Sequence, residues 1–283
     1  MDTDGTHELD RALVLGPGGR LGTAWTAGLA AGLRGFGVDL GEADLIVGTS
    51  AGAIVGAVIA TGQDPARLAA VSLPRTADAS SAPRHPDPAV MGAVLATLAD
   101  PGLDPAEKRR RVGRIALETV DAEADRRLIA QRGALIGTDT WPRRPLLIPA
   151  VDAESGDPVV WDTGAGVPLA HAVAASSAFP GVESPVAIGD RRYLDGALRA
   201  GTNTDLAGEA RTMVIVAPLA HRRPQPTPDG AHLLAPDAAA VRILDAEGTG
   251  PEAWTAAFQA GEAQAGAAAE KLRPHWSSGS ARD

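Results

Sequence analysis

The run Asp44-Leu45-Ile46-Val47-Gly48-Thr49-Ser50-Ala51-Gly52-Ala53-Ile54-Val55-Gly56-Ala57-Val58-Ile59-Ala60 reads as a strand, a tight turn and a helix, with a serine at the tip. The first four residues are apolar enough for a buried strand, and the last eight form an apolar helical stretch that stops near Gly62. Gly48, Ala51 and Gly52 keep the bend free of bulk, so the helix can pack back on the strand while the Ser50 hydroxyl projects from a sharp turn. The helix start also aims backbone N–H groups and the positive end of its dipole at that hydroxyl. Ser50 is therefore a candidate nucleophile. Pentapeptides of this type also arise by chance in chains rich in Gly and Ala.

A second unit of the same kind lies upstream. Arg11-Ala12-Leu13-Val14-Leu15 predicts a buried strand that runs into Gly16-Pro17-Gly18-Gly19-Arg20-Leu21-Gly22, and a helix is expected from Thr23 to Leu33. Two consecutive strand-helix units predict a parallel sheet covered by helices, with right-handed crossovers. Downstream, Leu73 to Asp104 is punctuated by prolines and predicts loops and short helices. Charged helices are expected over Ala106–Glu118 and Ala122–Gln131, where Arg109, Arg110, Arg111 and Arg114 read as a solvated face balanced by Glu107, Glu118 and Asp121. Residues 73–137 are read together as a helical insertion or cap. Leu146–Val151 and Pro158–Trp161 flank Glu154-Ser155-Gly156-Asp157 and predict a hairpin. A helix over Leu169–Ala175, short strands over Pro185–Ile188 and Arg192–Leu194, and a buried strand over Thr212–Ala217 follow. A long alanine-rich helix is expected from Glu252 to Leu272. One domain over 11–272 results, between a polar tail (1–10) and a flexible Ser/Gly-rich tail (273–283).

Composition narrows the function classes. Hydrophobic content of 45% and charged content of 22% over 283 residues are ordinary for a globular protein able to bury a large core. A formal charge of −9 argues against nucleic acid as a partner and against strong adsorption to anionic membranes, although a local basic patch survives such an average. With no cysteine there is no disulfide, thiol nucleophile or thiolate metal site. Met1 to Asp10 lacks the basic and apolar regions of a signal peptide, and no apolar run reaches the roughly 20 residues that span a bilayer, so a cytoplasmic enzyme is expected.

The remaining motifs are each ambiguous alone. The Gly16–Gly22 loop follows a strand as a dinucleotide loop does, but it is not Gly-x-Gly-x-x-Gly, and Asp39 stands in the weak strand Val38-Asp39-Leu40-Gly41. It serves equally as a tight turn or as an oxyanion hole whose N–H groups converge on one point. Among His7, His85, His171, His221, His232 and His275 none announces a triad, and His171 fits a helix-surface or core position better than a catalytic one. No cluster at metal-ligand spacing occurs, so no cofactor or metal is expected. In Arg192-Tyr193-Leu194-Asp195-Gly196-Ala197, Asp195 ends a short strand before a glycine bend. It is either an ordinary Asp-Gly turn or a carboxylate able to accept the Ser50 proton.

Leu13 to Gly22, Gly48 to Ala53, Ala175-Ser176-Ser177-Ala178-Phe179-Pro180-Gly181-Val182 and Asp195-Gly196-Ala197 together, in this order and approximate spacing, resemble the patatin-like phospholipase family over about Ala12 to Pro218. The resemblance implies a three-layer α/β/α fold with a central, mostly parallel sheet. It also implies a Ser-Asp dyad without histidine: Ser50 as nucleophile, Asp195 as base, and the Gly18 and Gly19 amides as oxyanion hole. The Ser176–Val182 block would shape the site. The implied substrate is an acyl-ester lipid such as a phospholipid or lysophospholipid, with transient contact to a membrane surface. Acyl transfer through the same intermediate, or lipid binding without catalysis, are the alternatives. This chain departs from the family at Pro17, which has no N–H to donate, at Arg20, one place early, at Leu21 where the basic residue usually stands, and at Ala197 in place of a second glycine.

Overall fold

A computed structural model describes residues 9–70, 87–208, 210–224, 226–246 and 250–276. The strands are β1 (Arg11–Leu15), β2 (Leu45–Gly48), β3 (Leu146–Asp152), β4 (Pro158–Trp161), β5 (Val186–Ile188), β6 (Arg191–Asp195), β7 (Thr212–Val216) and β8 (His232–Leu234). They form one sheet in the order β5-β6-β3-β2-β1-β7-β8, with β4 also paired to β3. The β3-β2-β1-β7-β8 portion is parallel, while β4 and β6 run antiparallel to β3. Parallel strands buried on both faces need continuous apolar runs, which Ala12–Leu15 and Leu45–Val47 supply.

Alternate residues of these strands part to opposite sides. Leu13, Leu15, Ile46, Val214 and Val216 join the larger core with the helices α1 (Gly19–Gly35), α2 (Ala51–Ala60), α5 (Ala122–Ile136), α6 (Leu169–Ser176) and α9 (Pro251–Trp276). Ala12, Val14, Leu45, Val47, Met213 and Ile215 face the other way, onto the 3-10 turn Thr204–Ala207. Further along that face, Val151 and Leu194 pack under α3 (Pro88–Ala99), α4 (Pro105–Leu117) and α7 (Ala197–Ala200). The fold is thus a central, mostly parallel sheet with helices on both sides.

The stretch expected as an insertion or cap contributes to both layers: α3 and α4 cover one face, whereas α5 packs on α6 and α2 in the main core. Its residues 73–86 lie outside the described residues. Helix α3 is one of the helices expected among the loops of this stretch, at 12 residues. Pro88 is its first residue, where the missing N–H costs nothing, and the Asp87 carboxylate accepts hydrogen bonds from the N–H groups of Ala89 and Val90. The weak strand around Asp39 is instead a 3-10 turn, Leu40–Glu42, capped by the Asp39 carboxylate. Strand β8 and the helix α8 (Ala238–Leu244), whose cap is Asp237, add to the order expected from sequence.

Helix α9 runs past the expected end at Leu272 to Trp276, so residues 273–276, expected in a tail, are helical. Trp276 is buried, and its indole N–H donates to the Asp39 carbonyl at 2.7 Å. A helix of this length is held by packing, and α9 lies along α1. Contact is close because Gly261 has no side chain: a β-carbon there would stand 2.1 Å from the Trp25 carbonyl oxygen. Gly261→Ala should therefore force the helices apart. The expected outcome in urea unfolding is a loss of about 2 kcal/mol, with a lower midpoint and an unchanged slope.

Candidate active site

The bend between β2 and α2 holds Ser50 at φ 55°, ψ −114°. That is a sparsely populated region for a residue with a β-carbon, worth about 1–3 kcal/mol of strain, and it persists only where the surroundings over-determine it. They do so here. The Thr49 N–H donates to the Leu15 carbonyl at 2.9 Å, and the Ser50 N–H donates to the Ser176 hydroxyl at 3.2 Å. Gly52 lets the turn close, since a β-carbon there would lie 2.0 Å from the Leu15 carbonyl oxygen. Ser50 is 7% exposed.

Asp195 ends β6, paired with Ala150 of β3, while β2 pairs with the beginning of the same strand at Ile46↔Leu146 and Val47↔Leu147. β3 therefore lies between the two candidate residues and brings the ends of β2 and β6 to its opposite edges. Asp195 is 2% exposed, and one carboxylate oxygen accepts from the Ala197 N–H at 2.8 Å. Burial pushes its carboxyl up to about 7. Opposing that rise are the hydrogen bond from Ala197, hydrogen bonding with the Ser50 side chain, and the positive charge of Arg132. The serine and the acid are thus brought together.

The glycine loop leaves β1 beside the same turn, since Leu15 is paired with Gly48 as well as bonded to Thr49. Gly18 caps α1 and Gly19 begins it. Among the described residues neither of their N–H groups donates to a protein acceptor. Pro218 closes on the outside of Gly18. The departures at Arg20 and Leu21 have local explanations. Arg20 donates to the Gly250 carbonyl and lies 5.6 Å over the Trp254 ring, while Leu21 packs on the main core.

Three contributors escaped the sequence reading. Asn203, at φ 58° and 1% exposed, donates from its side-chain amide to the Thr49 hydroxyl and the Gly196 carbonyl, each at 3.0 Å. Thr49 is fully buried and was read only as a spacer within the turn. Arg132 of α5 donates to the Ser177 hydroxyl at 2.9 Å and lies 3.5 Å from the Glu183 carboxylate. Burial lowers its guanidinium pKa, and the charges of Glu183 and Asp195 raise it. The charge pattern placed a helix end at Gln131, one residue short of it. No local signal marks Asn203, which sits in a loop of common turn residues.

Other candidates lie apart. Among the described residues no histidine hydrogen-bonds to Ser50 or Asp195. The Nδ1 of His171 is buried without a hydrogen-bond partner, His221 pairs with Asp245, and His232 stacks on His275. The α4 arginines 110, 111 and 114 converge on Glu107, and the hydrogen bonds from Arg111 and Arg110 hold its carboxyl at about 2. No group of three or more His, Asp or Glu able to hold a metal occurs among the described residues, and no described helix is long and apolar enough to cross a membrane.

What the fold and site define is a patatin-type arrangement, and comparison supports the same class. The family model for patatin-like phospholipases matches residues 13–207, more than half the chain, and the chain belongs to that family. No curated protein matched it. Solved structures similar to it include VipD from Legionella pneumophila, at TM-score 0.47 and 11% identity over 93% of this chain and 67% of that one. The type III effector protein ExoU is also similar, at TM-score 0.40 and 18% identity over 93% and 53%. The chain spans about two thirds of the first and about half of the second.

The raised carboxyl of Asp195 has a thermodynamic consequence. Its folded value lies above the ordinary 3.8, so its protonated form stabilises the fold, and that contribution is lost as pH rises through about 7. Compared with Asp195→Asn, the unmodified protein should lose stability between pH 4 and pH 7.5. Urea midpoints taken across that range check this, and 13C NMR of labelled aspartate, with the variant as reference, should place one carboxyl near 7.

Proposed function

We propose that this protein is a serine acyl hydrolase that cleaves carboxylic esters of lipids, phospholipid or lysophospholipid, through an acyl-enzyme. The observation that carries the reading is the buried Asp195 carboxyl beside the Ser50 side chain, next to a turn whose Gly18 and Gly19 amides have no protein acceptor among the described residues. In the first step Asp195 takes the hydroxyl proton as the Ser50 oxygen attacks the ester carbonyl. Gly18 and Gly19 N–H groups receive the negative oxygen of the tetrahedral intermediate. On collapse Asp195 returns the proton to the departing alcohol, leaving the acyl group on Ser50. Water then adds as Asp195 accepts its proton. The second tetrahedral intermediate collapses to the free acid, and Ser50 is reprotonated.

Only the ionised carboxylate accepts a proton. A carboxyl held near 7 is therefore close to the optimum for a base working at neutral pH, a stronger base than an ordinary aspartate yet still about half ionised. An aspartate at its ordinary value would be a far weaker base. Family membership supports a lipid as the acyl donor, reached by transient contact with a membrane or micelle surface.

The test is turnover of p-nitrophenyl esters and lysophospholipids. Ser50→Ala and Asp195→Asn should each lower kcat/KM by about 10³-fold or more, and Ser50→Ala should abolish labelling by a fluorophosphonate. Gly18→Ala, whose β-carbon would lie 2.8 Å from the Gly22 α-carbon and displace the loop, should cost about 10²-fold. In the unmodified enzyme kcat/KM should rise with pH through about 7. Full activity in Ser50→Ala or Asp195→Asn would overturn the reading.

A further inference from the structure

We propose that Asn203 is a positioning residue for the hydrolysis, a buried clasp that holds the serine turn and the aspartate turn in register. This rests on the hydrolase reading above.

Its side chain stands between two segments remote in sequence. The Nδ2 amide reaches the Thr49 hydroxyl at 3.0 Å, the Gly196 carbonyl at 3.0 Å and the Gly201 carbonyl at 3.1 Å. Thr49 immediately precedes Ser50, and Gly196 immediately follows Asp195. At the other end Oδ1 accepts from Arg199 at 2.9 Å, and Arg199 is itself held by both carboxylate oxygens of Asp205, at 2.9 and 2.6 Å. An arginine donor on one side and two carbonyls on the other leave one orientation for the amide.

Asparagine suits this place for two reasons. Its backbone is left-handed at φ 58°, ψ 38°, which asparagine tolerates better than most residues, and only an amide offers two donors and an acceptor in that volume. Aspartate has the same shape but would present oxygen to the Gly196 carbonyl. Because the side chain is 1% exposed, water cannot replace the lost bonds.

Ser176 completes the frame from the opposite side. Its hydroxyl accepts from the Ser50 N–H and its carbonyl accepts from the Gly196 N–H, each at 3.2 Å. Gly196 is thereby gripped at both its N–H, by Ser176, and its carbonyl, by Asn203. The two peptide groups that flank Gly196, one of them joined to Asp195, are thus each fixed, which limits tilting of the Asp195 turn relative to the serine. Asn203 touches neither reacting atom, so its effect is on alignment.

The experiment compares Asn203→Gly, Asn203→Asp, Thr49→Val and Thr49→Ser with the unmodified enzyme. Glycine accepts φ 58° and deletes the side chain with its amide, and aspartate keeps the size and removes the donors. Both should lower kcat on a p-nitrophenyl ester by about 10²-fold, the cost of a misplacement near 1 Å, with KM within about twofold. Fluorophosphonate labelling of Ser50 should slow in proportion. Thr49→Val should show part of that loss and Thr49→Ser should recover most of it, while Thr49→Val combined with Asn203→Gly should be no slower than Asn203→Gly alone. Urea midpoints and far-UV circular dichroism identify the folded variants. Folded Asn203 variants with lower midpoints but kcat within twofold of the unmodified enzyme would overturn the assignment, leaving a structural bond only. If neither Asn203 variant folds, the Thr49 pair decides: equal kcat in Thr49→Val and Thr49→Ser overturns it. An unmodified protein with no Ser50-dependent turnover or labelling would instead remove the hydrolase reading, and this proposal with it.

Discussion

One serine backbone in a conformation that serines avoid is the constraint around which the rest is arranged. Holding Ser50 at φ 55° needs a strand before it, a helix after it, and fixed partners on either flank. β1 supplies the first partner through the Leu15 carbonyl, which binds Thr49 and leaves room only for a glycine at position 52. α6 supplies the second through the Ser176 hydroxyl. The sheet order follows from the same demand, because β2 must have β1 on one side and β3 on the other before the turn is locked.

Burial sets two requirements against each other at Asp195. The low-dielectric surroundings that raise its carboxyl favour a neutral acid, whereas the proton abstraction proposed for it needs a carboxylate. The Ala197 amide, the Ser50 side chain and Arg132 move the balance part of the way back without cancelling it. Arg132 is well placed to act this way because Ser177 and Glu183 hold its head group, so its charge contributes a fixed field. The outcome is a group whose ionisation is balanced near neutrality.

Much of this was legible in the sequence, for identifiable reasons. Apolar runs before Gly16 and Gly48 announced parallel strands, and small residues after each announced tight entry into a helix. Asp195 was visible as an acid before a glycine bend and as a possible acceptor of the Ser50 proton, though only the family resemblance chose that reading over an ordinary Asp-Gly turn. What stayed hidden depended on contacts between distant segments. Nothing near Asn203 reveals that its amide spans 154 positions to Thr49. Within a stretch read as loops and short helices, the prolines alone did not say where a helix begins, and only the Asp87 cap marks Pro88 as a helix start. Trp276 lay among residues read as a tail, and its burial comes from the 3-10 turn at Asp39 that it anchors.

The place of β3 between β2 and β6 has a consequence for the order of events during synthesis. A ribosome that has released the first hundred residues has exposed the Ser50 turn without Asp195, and the strand that will lie between them is still unmade. The proposed reactivity cannot precede the closing of the sheet, because Ser50 and Asp195 follow strands that lie at opposite edges of β3. On the proposed mechanism a half-made chain is chemically mute, and ester cleavage becomes available only once β6 has joined the sheet.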